Sequence, residues 1–213
     1  MTDTLAPFAV PDADPALLDR LHARLEDAAT GEAAPDVHYR TVDSPLGPLL
    51  VAATEQGVTR LAFAIEDEDQ VLESLAERIG PRVLRAPRRL DPAARWLDAY
   101  FAGDHDPYPG PIDLRLARGF RLAVLERLRE VPFGRTISYA GLAARTEAPR
   151  AVRAVGTACA TNPVPLVVPC HRVVRSDGST GAYRGGAEAK VRLLALERDG
   201  VLPPSGGLAP RPR

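Results

Sequence analysis

The run AGDHDPYPGPID, residues 102–113, most constrains what this chain can fold into. A stretch so rich in Pro, Gly and Asp continues neither a helix nor a central strand, and it separates two halves of different texture. Before it, from Val37, short β-type runs alternate with turn signals: VHYRTVD, SPLG, PLLVAAT, EQG, VTRLAFA. Three such runs joined by tight turns predict an antiparallel meander. An amphipathic helix over about 69–79, stopped by Gly80-Pro81, then a short RVLRA strand and a helix near 92–101 complete this half. After the break the pattern is helical, over 120–129, 139–145, 150–161 and 186–198, the last closed by Gly200. The expected fold is therefore α+β, with a small antiparallel β domain over 37–104 and a mainly helical domain over 112–200. Residues 1–36 read as an N-terminal extension with one amphipathic helix, on which Leu17, Leu18, Leu21 and Leu25 share a face. Residues 201–213 read as a flexible tail.

Charge divides at the same place. Residues 1–110 hold 10 Arg against 20 Asp and Glu, and residues 111–213 hold 17 Lys and Arg against 8 acids, so a formal charge of −1 conceals a basic C-terminal half. That half suits contact with the phosphates of a duplex, although solubility alone would also account for it. An apolar fraction of 45% over 213 residues excludes a disordered chain. No run is long and apolar enough for a membrane span, and MTDTLAPFAV lacks the plan of a signal peptide, so a cytoplasmic protein is expected. It is expected to be monomeric, with cooperative binding on DNA as an alternative. Two cysteines without CxxC or CxxxH spacing support neither a disulfide in a reducing compartment nor a metal site.

The helices at 139–145 and 150–161 form a helix-turn-helix plan. On the second, Val152, Val155 and Cys159 fall on one side, and Arg150, Arg153, Thr157 and Thr161 on the opposite one. One side is expected to pack and the other to be free to touch phosphate. Small residues between them, Ala151 among these, let a backbone come close; a solvated arginine face on a core helix is the plainer alternative.

Cys159, on the packing side, reads as a buried and inert thiol. Cys170 differs, because PLVVP resembles a buried strand that Pro169 ends immediately before the thiol. If the chain turns there, His171 comes back toward the sulfur, directly or through a water, and lowers the thiol pKa from its reference near ~8.5. Glu197 stands within an apolar stripe of the last helix, and buried acids are rare unless paired. Cys170, His171 and Glu197 thus make a candidate nucleophile, base and orienting carboxylate. A core cysteine followed by a surface histidine, with Glu197 turned to solvent, is the alternative from these residues alone.

VPCHRVV, with NPVP, SYAGLAA and PRAVRAVG upstream and GAYRGG and KVRLLALE downstream, resembles the O6-alkylguanine-DNA alkyltransferases, the methylated-DNA-protein-cysteine methyltransferases. The likeness runs from about Val37 to Glu197. It implies an RNase H-like β domain ahead of a DNA-binding domain with a helix-turn-helix. It also implies a single-turnover DNA repair enzyme that needs no cofactor, flips O6-methylguanine, with O4-methylthymine a second candidate, out of double-stranded DNA, and transfers the alkyl group irreversibly to Cys170. In that likeness His171 is the base acting through a water, Glu197 orients it, Asn162 bridges the turn, and Tyr139 protonates the leaving guanine and crowds the DNA backbone. Arg153 enters the base stack, and Arg150, Ala151, Thr157 and Arg172 contact DNA. Pro165, Val168, Val173, Tyr183, Arg184 and Gly185 line the pocket for the flipped base. An alkyl-lesion binder or alkylation sensor of the same fold is the rival, and the cysteine in VPCHRVV weighs against it. The chain departs from the family's usual Phe-Gln followed by Val-Trp, having Phe120-Arg121 and Val124-Leu125.

Overall fold

Why β2 and β3 are buried along their whole length is explained by what covers them. In the computed structural model, which describes residues 14–28 and 34–205, a four-stranded sheet runs in the order β3-β2-β1-β4. Its strands are β1 (Val37–Val42), β2 (Leu49–Thr54), β3 (Gly57–Phe63) and β4 (Val83–Arg85). The first three form the expected antiparallel meander, with a bulge between Ala52 and Ala53, and β4 adds to the outer side of β1 in parallel. Because successive strand residues point to opposite faces, Leu49, Val51, Leu61 and Phe63 join one buried cluster, while Leu50, Ala52 and Ala62 join another. The second cluster is closed by Val71 and Leu75 of α2 (Glu68–Arg78), which Asp67 caps through a 3.0 Å bond from the Gln70 amide. The first reaches α3 (Asp91–Phe101) and α4 (Phe120–Leu128), so one core continues from the sheet into the helical half.

The Pro/Gly/Asp-rich connection is tied down at its end. Val58 donates to Pro111 O and accepts from Asp113 N, and Thr54 Oγ1 donates 2.6 Å to Asp113 Oδ2. Gly57, at φ 132°, lies so close that a Cβ there would stand 2.3 Å from Pro111 O.

The helical half continues with β5 (Ile137–Ser138), α5 (Tyr139–Ala143), α6 (Val152–Ala160), β6 (Val173–Val174) and α7 (Gly186–Asp199), β5 pairing in parallel with β6. The helix pair α5 and α6 appears where the periodicity put it, shorter at its ends. Gly200, at φ 72°, closes α7 as expected. Residues 163–169 are not a strand. They form successive turns, because Pro163, Pro165 and Pro169 bring no amide hydrogen to a ladder. Val152 is exposed, at the first position of α6, whereas Val155 and Cys159 pack as expected.

The described residues up to Ala34 belong to a unit of their own, containing α1 (Pro15–Ala28). Leu17, Leu18 and Leu21 are exposed, and the side chain of Leu25 lies outside the described residues. Of the expected tail, residues 206–213 lie outside the described residues; Pro203 O and Ser205 Oγ accept bonds from Arg192 on α7. Among the described residues no helix is long and apolar enough to cross a membrane, and no His, Cys, Asp and Glu group has the makings of a metal site.

Candidate active site

Asn162, fully buried just after α6, shapes the segment that carries the thiol. Its Nδ2 donates 2.7 Å to Val168 O, and its Oδ1 accepts 3.0 Å from the Val164 amide. Between those points Leu166 adopts φ 71°, the one positive φ of a non-glycine residue among the described residues. Cys170 then opens a short 3-10 helix, Cys170–Arg172, with its sulfur side buried and its amide bonded to Val168 O. The rigid holder expected of a strand is thus supplied by a loop stapled by one asparagine.

His171 and Glu197 meet. The imidazole Nε2 lies 2.7 Å from Glu197 Oε1, with both side chains out of water. An ionised carboxylate only accepts, so Nε2 carries the proton and Nδ1 offers a lone pair. That Nδ1 is buried and has no hydrogen-bond partner among the described residues.

Arg172, expected at the DNA, turns its side chain inward. Its Nε donates 2.9 Å to Glu197 Oε2, its Nη2 donates 2.9 Å to Oε1, and its Nη1 donates 2.5 Å to Val131 O, with the guanidinium over the Phe133 ring. The basic residue after the histidine turns inward because the buried carboxylate needs a cation.

Three partners of this network carry no sequence signal of their own. Tyr100 Oη, from α3, donates 2.8 Å to Glu197 Oε1 and lies 3.3 Å from His171 Nε2. Gly134 N donates 3.2 Å to Glu197 Oε2 from a left-handed φ of 69°, with room for no Cβ beside Glu197 O. Lys190 Nζ, from α7, donates 2.6 Å to Val173 O and lies over the Tyr139 ring.

The ionisation states follow from burial first. Burial raises the Glu197 pKa, but the bond from His171 and the Arg172 guanidinium outweigh it and hold the carboxyl at about 2. Burial lowers the His171 pKa against the opposing pull of Glu197, so the imidazole is neutral at pH 7. Burial also pushes the Cys170 thiol up to about 11, despite the Asn162 bond and the charge of Lys190. The expected lowering of the thiol pKa by His171 does not occur, because a buried neutral imidazole has no charge with which to stabilise a thiolate. Cys159 is buried and raised to about 12, an inert thiol as expected.

Around the thiol, Val168, Val173 and Tyr183 are buried, as is Pro165, and Tyr183 Oη has no partner among the described residues. Gly185 lies against the Phe63 ring, where a Cβ would come within 2.8 Å. Arg184 donates 2.7 Å to Glu66, which also pairs with Arg60, so this expected pocket residue ties its loop to the β sheet. Tyr139, half-buried at the start of α5, places its hydroxyl against Gly181, where a Cβ would stand 2.3 Å away. Arg150, Arg153 and Thr157 are exposed on or just before α6, and Ala151 is half-buried beside them. Thr157 and Thr161 hydroxyls bond back to the helix carbonyls four residues earlier.

Two family models match this chain. The ribonuclease-like domain of 6-O-methylguanine DNA methyltransferase matches residues 37–114, and the DNA binding domain of the same family matches 119–199. A methylated-DNA–protein-cysteine methyltransferase of Mycolicibacterium paratuberculosis is 41% identical over 162 residues, covering 76% of this chain and 93% of the relative. The chain belongs to the 6-O-methylguanine DNA methyltransferase family. The family is one of enzymes, so the RNase H-like and helical halves inferred from the sequence are those of a methyltransferase fold. Escherichia coli Ada, a bifunctional transcriptional activator and DNA repair enzyme, is 38% identical over 165 residues, 76% of this chain and 46% of Ada. Among solved structures, the Mycobacterium tuberculosis methyltransferase in complex with DNA superposes with a TM-score of 0.68 at 36% identity, covering 79% of this chain and 96% of that one.

Proposed function

We propose that this methyltransferase repairs alkylated guanine in duplex DNA, O6-methylguanine chiefly and O4-methylthymine as a second substrate, by moving the alkyl group once and irreversibly to Cys170. The observation that carries the reading is the buried His171, next in sequence to Cys170: its Nε2 is committed to Glu197 and its Nδ1 has no hydrogen-bond partner among the described residues, which leaves it free to act as a base. Division of the chain into a β domain over 37–104 and a DNA-binding, alkyl-transfer domain over 112–200 fits that reading.

In the reaction the Cys170 proton passes through a water to His171 Nδ1, and the Glu197 carboxylate balances the imidazolium that forms, while Arg172 holds that carboxylate in place. The sulfur attacks the alkyl carbon, an S–C bond forms, the C–O6 bond breaks, and the electron pair leaves on guanine, which Tyr139 protonates. With thiol and imidazole both neutral at rest, deprotonation is coupled to attack rather than preceding it. The product is a thioether, without the carbonyl that lets water release an acyl-enzyme, so each chain acts once.

O6 is out of reach within a duplex, so the base must leave the stack, a cost of a few kcal/mol that is least for a mispaired lesion. Arg153, exposed on α6, would fill the space left behind, with Arg150, Ala151 and Thr157 along the backbone. Val168, Val173, Tyr183 and Gly185 would wall the extruded base, Pro165 shaping the loop behind them. A cysteine at the motif speaks against a purely lesion-binding protein.

Incubation with duplex containing O6-methylguanine, followed by mass analysis of the tryptic peptide holding Cys170, tests the assignment. A methyl-sized gain there and none in Cys170→Ala is expected. An unmodified Cys170, or transfer to Cys159 in the variant, would remove it.

A further inference from the structure

Three arginines with no part in that chemistry converge beside α4. Arg78 at the end of α2, Arg118 before α4 and Arg121 in its first turn line a cavity of about 530 Å³ together with Arg115 and Leu116. Arg115 has a carboxylate partner, Asp113, at 2.6 Å. No ion pair among the described residues involves Arg78, Arg118 or Arg121.

Arg78 Nη2 and Arg121 Nη2 donate at 3.0 and 2.5 Å to one carbonyl, Leu116 O. That bond holds two cations side by side and neutralises neither. Arg121 Nε is buried and has no hydrogen-bond partner among the described residues. Gly119 caps α4 without a side chain, so the amides of its first turn add partial positive charge next to Arg118 and Arg121. Like charges gathered in this way repel, and a multivalent oxyanion is the chemistry that relieves them, since a guanidinium fork matches two phosphate oxygens at once.

The place says which oxyanion. A second cavity of about 660 Å³ shares Arg78, Leu116 and Arg121 with the first and extends to Thr161 at the end of α6. Thr161 continues the exposed face that carries Arg153 and Thr157. The arginine trough therefore begins where that face ends. Arg121 is also the residue at which this chain departs from the Phe-Gln of its family.

We infer that Arg78, Arg118 and Arg121 form a phosphate-binding site that grips the DNA backbone beyond α6 and extends the footprint of this chain on duplex DNA. The inference rests on the DNA-repair reading above. Its measure is the salt dependence of binding, because each phosphate contact contributes about 0.9 to the slope of log K against log salt.

The test uses the full chain, an undamaged duplex and the variant Arg118→Gln/Arg121→Gln, with thermal melting to verify folding. Arg85→Gln/Arg95→Gln, which removes the same charge from exposed positions outside the trough, serves as control. The slope is expected to fall by about two for the trough variant, to stay unchanged for the control, and to be retained in Arg118→Lys/Arg121→Lys. An unchanged slope in the trough variant overturns the inference, and so does an equal fall in the control, which would show bulk charge only. Titration with inorganic phosphate separates the sources: saturable binding lost in the trough variant, with an unchanged DNA slope, would make this a free-anion site and overturn the assignment to DNA. Should the unmodified protein fail to bind duplex at all, the DNA-repair reading fails instead.

Discussion

Tyr100 Oη and His171 Nε2 share one acceptor, Oε1 of Glu197, at 2.8 and 2.7 Å. The tyrosine comes from α3 in the N-terminal half, held between Trp96, Phe101 and Phe133 by ring contacts of 5.4 to 6.0 Å. A hydroxyl on a helix of one half thus fixes the carboxylate that orients the base of the other. Tyr100→Phe removes only that oxygen. Loss of a bond to a charged acceptor costs about 2 kcal/mol, and single-turnover transfer should slow by roughly tenfold as the imidazole loosens. The pH midpoint of transfer should move with the rate; a change in melting temperature at unaltered rate and midpoint would leave Tyr100 a packing residue.

Acid should unfold this protein through Glu197. Its carboxyl is lowered from 4.5 to about 2, so it contributes stability above pH 4.5 that disappears as pH falls toward 2, about 3 kcal/mol in all. His171 acts in the same direction from about pH 6.5 downward, since the unfolded chain takes up the proton that the buried ring refuses. Glu197→Gln should therefore be less stable at pH 7, by about 3–5 kcal/mol because Arg172 is left without its anion, yet show a flatter loss of stability in acid. Urea unfolding between pH 3 and 7 reads both.

The thiol should be sluggish toward ordinary electrophiles. With Cys170 raised to about 11 and Cys159 to about 12, iodoacetamide labelling of the folded protein at pH 7.5 should run well below that of the unfolded chain, whose thiols titrate near ~8.5. Fast labelling of Cys170 at neutral pH would mean that a thiolate exists at rest and that attack does not await His171.

Gly181 should matter more than its place in a loop implies. A methyl at this position would stand 2.3 Å from the Tyr139 hydroxyl, so Gly181→Ala must move the ring that is proposed to protonate the leaving base. Transfer should fall by about tenfold or more, within the range of a lost general acid, while the melting temperature changes by only a few degrees. Wild-type rates in the variant would remove Tyr139 from that role.

The helices and the meander were legible because periodicity and turn residues are local, and both survived into the structure. PLVVP misled because β-branched residues normally mark strands, and three prolines without amide hydrogens overrode them. Glu197 was found by its own oddity, an acid in an apolar stripe. Tyr100, by contrast, sits in an ordinary amphipathic helix, and nothing nearby announces a bond to a residue 97 positions later. The inward turn of Arg172 was hidden for a related reason: the sequence does not show that Glu197 lies buried behind it.

Leu166, at φ 71°, sits in the turn stapled by Asn162. A leucine in this region costs about 1–3 kcal/mol, which persists only where the surroundings over-determine it. The loop that presents Cys170 is consequently ordered when the chain folds, not when DNA arrives. Its lost conformational entropy is charged to the stability of the free protein. Binding free energy that would otherwise go into shaping the loop stays available for drawing a base out of the stack.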